Sequence, residues 1–324
     1  MSSSTNTSQT HTILSHLCAT PPSVSGRGVK SRGGFRRDWD LVEPDAIKEW
    51  NSFSFNSVRF AFWELLDDPL PGIPRDWTTE EGFEINHQDD LEIMVEKYCS
   101  ETLEECLKPS VVILQHQLKI SYPASVFLAQ KSEVDGTKLP YVVFSIKNNK
   151  TPLVIGVFHV CKGWESKGKL GTSQQKGDGA SAQHPALSAE KLESLKENRD
   201  IAPVRHLAMY AQKFGTPYGV IFTHEEVIVV RIFIKDQQNS IYGAQWQAVK
   251  WPVAGENQLT PNLAIWGLVM MSLNENYRKL VPENSLVELN TWDQVDDFDY
   301  ENRFSLRKEP FFNLPANFDL HERT

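Results

Sequence analysis

The sequence predicts an α/β sandwich, with one central mixed sheet flanked by helices. Three observations carry that expectation. The first is order: periodicity along the chain reads helix, two or three strands, helix, two strands, helix. The second is Leu153–Cys161 (LVIGVFHVC), a nearly continuous β-branched run between turn signals, the pattern of a strand buried on both faces. The third is composition. Of 324 residues, 40% are apolar and 23% charged, enough to bury one sizeable core.

Residues 1–37 stand apart. They are rich in Ser, Thr, Gly and Pro, contain no Asp or Glu, and carry Arg27, Lys30, Arg32, Arg36 and Arg37. Such a stretch offers too little apolar surface to offset chain entropy, so a disordered basic arm is expected. With the arm at +5 and the whole chain at −9, the remainder carries −14. A basic nucleic-acid coat over the whole molecule is therefore excluded. Nucleic acid is expected, if at all, through the arm, by salt-dependent attraction to phosphate.

Residues 38–79 form an aromatic-rich extension expected to pack on the core. Trp39, Trp50, Phe53, Phe55, Phe60, Phe62 and Trp63 crowd together, a density that anchors cores and interfaces. Their spacing is neither helical nor alternating, so short helices and loops are expected, broken by Pro69, Pro71 and Pro74.

The main domain spans 80–282. A helix is expected over about 89–107 from the stripe Leu91, Met94, Val95, Tyr98, Leu103, Cys106 and Leu107. Asp89 reads as its N-cap, Glu92 as the partner in a capping box, and Pro109 as its end. Strands are expected in Val111–Ile120, Ser125–Ala129, Tyr141–Ile146 (YVVFSI) and Leu153–Cys161, with Lys147–Lys150 as a turn. Gly163–Gln183 reads as a flexible excursion. It lacks the GxxxxGK[ST] order of a phosphate cradle. Leu187–Asn198 is a charged helix. A second helix runs over Ile201–Phe214, with Asp200 as N-cap and Gly215 closing it. Tyr218–Thr223 and Val227–Ile234 form a hairpin around a solvated turn, His224–Glu225–Glu226. Thr260 caps a last helix with Leu263, Trp266, Met270, Leu273, Tyr277 and Leu280 on one side. Residues 283–324 read as an irregular acidic tail, with Asp293, Asp296, Asp297, Asp299 and Glu301 close together.

Several function classes fall away. Cys18, Cys99, Cys106 and Cys161 form no CxxC pair and no staple pattern, which points to a reduced, intracellular protein. The longest mostly apolar stretches run ten residues, against the roughly 20 a spanning helix needs, so no membrane segment is expected. No GxSxG supports serine hydrolysis. No two histidines stand two or four residues apart, which removes the common histidine metal pairs. His159 and Cys161 share one strand face and read as a packed core pair.

The segments PYVVFSI (140–146), LVIGVFHVCKGW (153–164), PVRHLAMYAQKFGTPYGVIFT (203–223) and EVIVVRIFI (226–234) give the chain a resemblance to the PD-(D/E)XK, or restriction-endonuclease-like, superfamily. It looks most like the fungal members with a strand ending in Glu-x-Lys, then a helix leading into a "YG(V/I)xxT" strand. The resemblance covers about residues 80–282. It implies a restriction-endonuclease-like sandwich and a site where two strand acids hold Mg²⁺, which polarises a phosphate and activates water. A lysine two residues after the second acid orients that water or stabilises charge.

This chain departs from the pattern. The Glu-x-Lys positions read Val160–Cys161–Lys162, and the Pro-Asp positions read Pro140–Tyr141. Lys162 alone matches in type. Glu92 matches the acid that the first helix often supplies. Asp135, or Glu133, is the candidate for a displaced strand acid. His159 or Glu165 could stand near Lys162. His206, one turn before Tyr210 on the helix preceding YGVIFT, is a further site-facing candidate. The expected site residues are thus Lys162, Glu92, Asp135 and His206. The expected function is a degenerate nuclease-like domain acting as a binding or interaction protein, without a cofactor and with a protein partner of unknown identity. The alternatives are an active Mg²⁺-dependent nuclease with displaced ligands, and an accessory protein that binds a small molecule or protein.

Overall fold

The computed structural model describes residues 11–26, 42–79, 82–118, 126–131, 141–146, 152–162, 164–170, 200–274 and 277–289. Its centre is a seven-stranded mixed sheet in the order β2-β9-β8-β7-β6-β5-β4. The strands are β2 (Val42–Glu49), β4 (Val126–Lys131), β5 (Tyr141–Ile146), β6 (Pro152–Phe158), β7 (Tyr218–Phe222), β8 (Glu226–Asp236) and β9 (Ile241–Lys250). Strands β4, β5 and β6 form an antiparallel meander. Strand β7 then lies parallel to β6, β8 and β9 continue antiparallel, and β2 closes the edge parallel to β9. A separate pair, β1 (Val24–Ser25) with β3 (Phe83–Glu84), is parallel.

Both faces of the sheet are covered, as the continuous apolar runs of β6, β7 and β8 require. Alternation divides the side chains. Ile155, Val157, Ile221, Ile228 and Val230 face one layer, which includes Val204, Leu207 and Ala211 of helix α7 (Ala202–Phe214). Val154, Val220, Phe222, Val227 and Val229 face the other, larger layer. That layer holds α1 (Ile13–Leu17), α2 (Phe55–Ala61), α3 (Trp63–Leu66), α4 (Gln88–Met94), α5 (Glu101–Leu118) and α8 (Pro261–Leu273). A short α6 (Ser166–Lys169) follows β6. Among the described residues, no helix is long and apolar enough to cross a membrane.

Several expectations need correction. Within residues 1–37, the stretch 11–26 is folded. Thr12 and Ser15 cap α1 reciprocally, and Ile13, Leu14 and Leu17 are buried. Three aliphatic side chains in five residues suffice to dock one helical turn on α5 and α8. The basic residues Arg27–Arg37 lie outside the described residues. In 283–324, residues 283–289 pack on the sheet, and Leu289 is fully buried. The aromatic extension contains β2, an edge strand with Pro44 and a bulge between Val42 and Ile47. Charge and proline masked its period, and both are devices that edge strands tolerate.

Pro109 does not end the helix. The helical run continues from Gln88 through a π-helical turn, Val95–Ser100, and on through Pro109 to Leu118, so of the strand expected at Val111–Ile120 the described part, 111–118, is helix instead. Beside Pro109, Ser110 donates its hydroxyl to the Cys106 carbonyl at 2.7 Å and accepts from the Trp266 indole at 3.1 Å, tying α5 to α8. Asp89 is not the N-cap. The chain enters α4 two residues earlier at His87, and the Asp90 carboxylate accepts the Asn86 and His87 amides at 2.9 and 2.8 Å. Ile201, not Asp200, precedes α7, while Gly215 closes it in the left-handed conformation at φ 68°. Thr260 caps α8 as expected, but this helix is buried on every side rather than along one stripe. Asp135, the loop 171–183 and the helix expected at 187–198 lie outside the described residues.

Candidate functional site at the carboxyl ends of β6 and β7

Strands β6 and β7 are parallel, and α7 is the crossover between them. In open α/β sheets the crevice beyond such carboxyl ends is where ligands bind. Here the chain places a polar cluster. His159 extends the pairing one residue past β6 by donating its amide to the Phe222 carbonyl at 2.8 Å. Its ring meets Trp164 edge-on, 4.9 Å between centroids, and Trp164 donates its indole N–H to the Asp200 carbonyl at 2.9 Å.

The β7–β8 turn forms the opposite wall. Its tip was expected to be solvated, yet His224 is only 7% exposed and Glu226 only 4%. The reason is position. The hairpin joins two inner strands, so its turn is roofed by neighbours rather than by water. Thr223 organises it, accepting the Glu225 and Glu226 amides at 3.2 and 2.9 Å and donating its hydroxyl to the Glu226 carbonyl at 2.9 Å. Trp251 donates its indole N–H to the Thr223 carbonyl at 2.9 Å. The Glu226 carboxylate accepts the Ser166 amide at 2.7 Å, tying the turn to the start of α6.

Three buried polar atoms in this cluster have no hydrogen-bond partner among the described residues: His159 Nε2, His224 Nδ1 and Ser166 Oγ. Buried groups of this kind carry a desolvation cost until a water or ligand satisfies them. Burial pulls His159 down to about 4, helped by the neighbouring His224. Burial pulls His206 down to about 3, helped by His159. Both imidazoles are neutral near pH 7 and can each offer one donor and one acceptor.

The expected site residues are placed as follows. His206 reaches the cluster from α7, within electrostatic reach of His159. Lys162 lies four residues past the end of β6 and is exposed. Glu92 is on α4, where its carboxylate accepts from the Gln88 side-chain amide at 2.8 Å. Tyr141 lies opposite Val157 in β5. Val160, the second acid position of the resemblance, is 8% exposed and belongs to the apolar cluster under α5 and α8. Among the described residues, no group of three or more His, Cys, Asp or Glu is placed to hold a metal ion. Sequence reasoning missed His224, Ser166 and Glu226. No local pattern marks them, because the contacts that hold them are remote in the chain: Ser166 meets Glu226 across 60 residues, and Trp251 anchors the turn at Thr223.

Comparison with known proteins returned no match: no family model, no curated protein and no solved structure matches this chain.

Proposed function

We propose that this chain is a PD-(D/E)XK-type domain that binds a partner and does not cut nucleic acid. The order α5, β4–β5–β6 meander, α7 and a β7 parallel to β6 supports the restriction-endonuclease-like half of the reading, since it is the order the resemblance implies. The non-catalytic half rests on Val160. An aliphatic side chain buried in the core occupies the position where a carboxylate would hold a divalent ion beside the lysine two residues on. Lys162 remains, but a lysine without that ion has no activated water to orient. Neutral imidazoles and a serine hydroxyl at the strand ends suit recognition of a polar group better than the binding of a hard cation.

The compartment belongs to the same proposal. Four free cysteines, three of them buried, fit a reducing cellular interior. The decisive experiment incubates the full chain with duplex DNA, single-stranded DNA and RNA in Mg²⁺ or Mn²⁺. The expected result is no cleavage, and no difference between the native chain and Lys162→Ala. Metal-dependent cleavage that Lys162→Ala abolishes would overturn the reading. The same nucleic acids, used as binding probes across a salt series, test whether the five cations of residues 27–37 contribute. Replacing them with Ser is then expected to reduce the salt dependence.

A further inference from the structure

Glu226 presents a carboxylate at the turn between β7 and β8, in a residue only 4% exposed. Its side chain receives one hydrogen bond, from the Ser166 amide at 2.7 Å, and no basic side chain pairs with it among the described residues. Lys169, on the same α6 that Ser166 opens, is engaged with Asp200 at 3.1 Å. A carboxylate taken out of water needs a cation or several donors around it. A single amide leaves most of its acceptor capacity unused.

The unpartnered atoms of the site lie close by. The nitrogen and hydroxyl oxygen of one serine are about 3–4 Å apart, so Ser166 Oγ, fully buried, lies within roughly 7 Å of Glu226 Oε1. His224 precedes Glu226 by two residues in the turn that Thr223 closes. Its Nε2 stands 3.4 Å from the Glu225 carboxylate. That carboxylate holds the ring proton on Nε2, which leaves Nδ1 a buried, unpartnered acceptor. His159, within electrostatic reach of His224 and held neutral by burial, has an unpartnered Nε2. What these acceptors lack is a donor that also carries positive charge. Water supplies donors but no charge. Among the described residues, no group of three or more His, Cys, Asp or Glu is placed to hold a metal ion. An ammonium supplies both, with three N–H donors on one compact cation.

We propose that this cluster takes a primary ammonium group, the charged end of a lysine side chain or of a small alkylamine, with Glu226 as counter-ion and His224 Nδ1 and Ser166 Oγ as further acceptors. The proposal rests on the binding reading above and deepens it by naming the chemistry bound. Glu225, whose side chain is 42% exposed, marks the solvent side by which the group enters.

The test titrates the full chain with butylammonium chloride at constant ionic strength and follows the His159 and His224 ring signals by NMR. The expected result is a shift that saturates below about 100 mM, the weak affinity that one buried charged contact supports. Butanol, which lacks the charge, and tetramethylammonium, which lacks the N–H donors, should produce no saturating shift. Glu226→Gln keeps an acceptor for the Ser166 amide and should weaken butylammonium binding at least about tenfold. Ser166→Ala, which keeps that amide, should weaken it about threefold or more. A parallel titration uses Nα-acetyl-lysine methylamide. Tighter binding than the bare amine assigns the group to a protein partner, and equal or weaker binding assigns it to a small amine. No saturating shift with either amine in the native chain would overturn the proposal. So would an equal response to butanol or tetramethylammonium, or undiminished binding in a folded Glu226→Gln or Ser166→Ala chain. Metal-dependent cleavage of nucleic acid would instead remove the non-catalytic reading and leave the outcome of this titration standing.

Discussion

The guanidinium of Arg231 lies 4.3 Å from the ring centroid of Trp50, and that stack joins three stretches remote in sequence. Arg231 is 2% exposed in the middle of β8. It donates to the Gln245 side chain of β9 at 3.2 and 2.6 Å, to the Val287 carbonyl at 2.5 Å, and stands 3.6 Å from Glu288. The buried cation is thus paired and hydrogen-bonded, the condition under which burial is tolerable. Arg231→Ala leaves those acceptors unmet and is expected to cost about 3–5 kcal/mol in denaturant unfolding. Arg231→Lys should recover only part of the loss, because an ammonium lacks the planar fork and stacks poorly.

The histidine cluster makes the fold acid-sensitive. His159 titrates at about 4 and His206 at about 3 in the folded chain, against 6.5 ordinarily. Between those values the unfolded chain binds more protons, so stability rises with pH. It is complete above the unfolded value and is lost as pH falls from about 6.5 toward 4. Urea midpoints measured from pH 7.5 to 4.5 should therefore decline, and His206→Gln should flatten the decline. A midpoint independent of pH, or a slope unchanged in the variant, would contradict the burial assigned to these rings.

Val160→Glu restores in type the acid that the nuclease pattern calls for. Because position 160 is buried among aliphatic side chains, the new carboxylate is expected to destabilise the chain by about 3 kcal/mol or more. Mg²⁺ should not raise its melting temperature. A metal-dependent rise would show that the position borders an ion site.

Gly219 is where α7 presses closest on the sheet. A Cβ there would meet the two Leu207 methyl groups at 2.8 and 2.9 Å and the Ile155 carbonyl oxygen at 3.2 Å. Gly219→Ala is expected to cost about 1–3 kcal/mol through overpacking. Leu207→Ala in the same chain should offset part of that cost, which a double-mutant cycle would detect.

What the sequence determined by itself was the inner architecture. YVVFSI, LVIGVFHVC, YGVIFT and EVIVVRIFI are apolar enough that any register leaving them in water is costly, so β5 to β8 and the helix α7 between them were legible. The left-handed Gly215 and the Thr260 cap were legible for the same local reason, one residue type meeting one backbone need. The rest was decided in three dimensions. VEPDAIKE and IYGAQWQAVK become strands because neighbouring strands supply their hydrogen bonds. The helix passes through Pro109 because packing of α5 on α8 outweighs the one missing hydrogen bond. His224 and Glu226 look like a solvated turn until Trp251 anchors the Thr223 carbonyl and Ser166 meets the Glu226 carboxylate. Burial by residues far along the chain leaves no local trace, and it is burial that holds His159 and His206 neutral well below the ordinary histidine range.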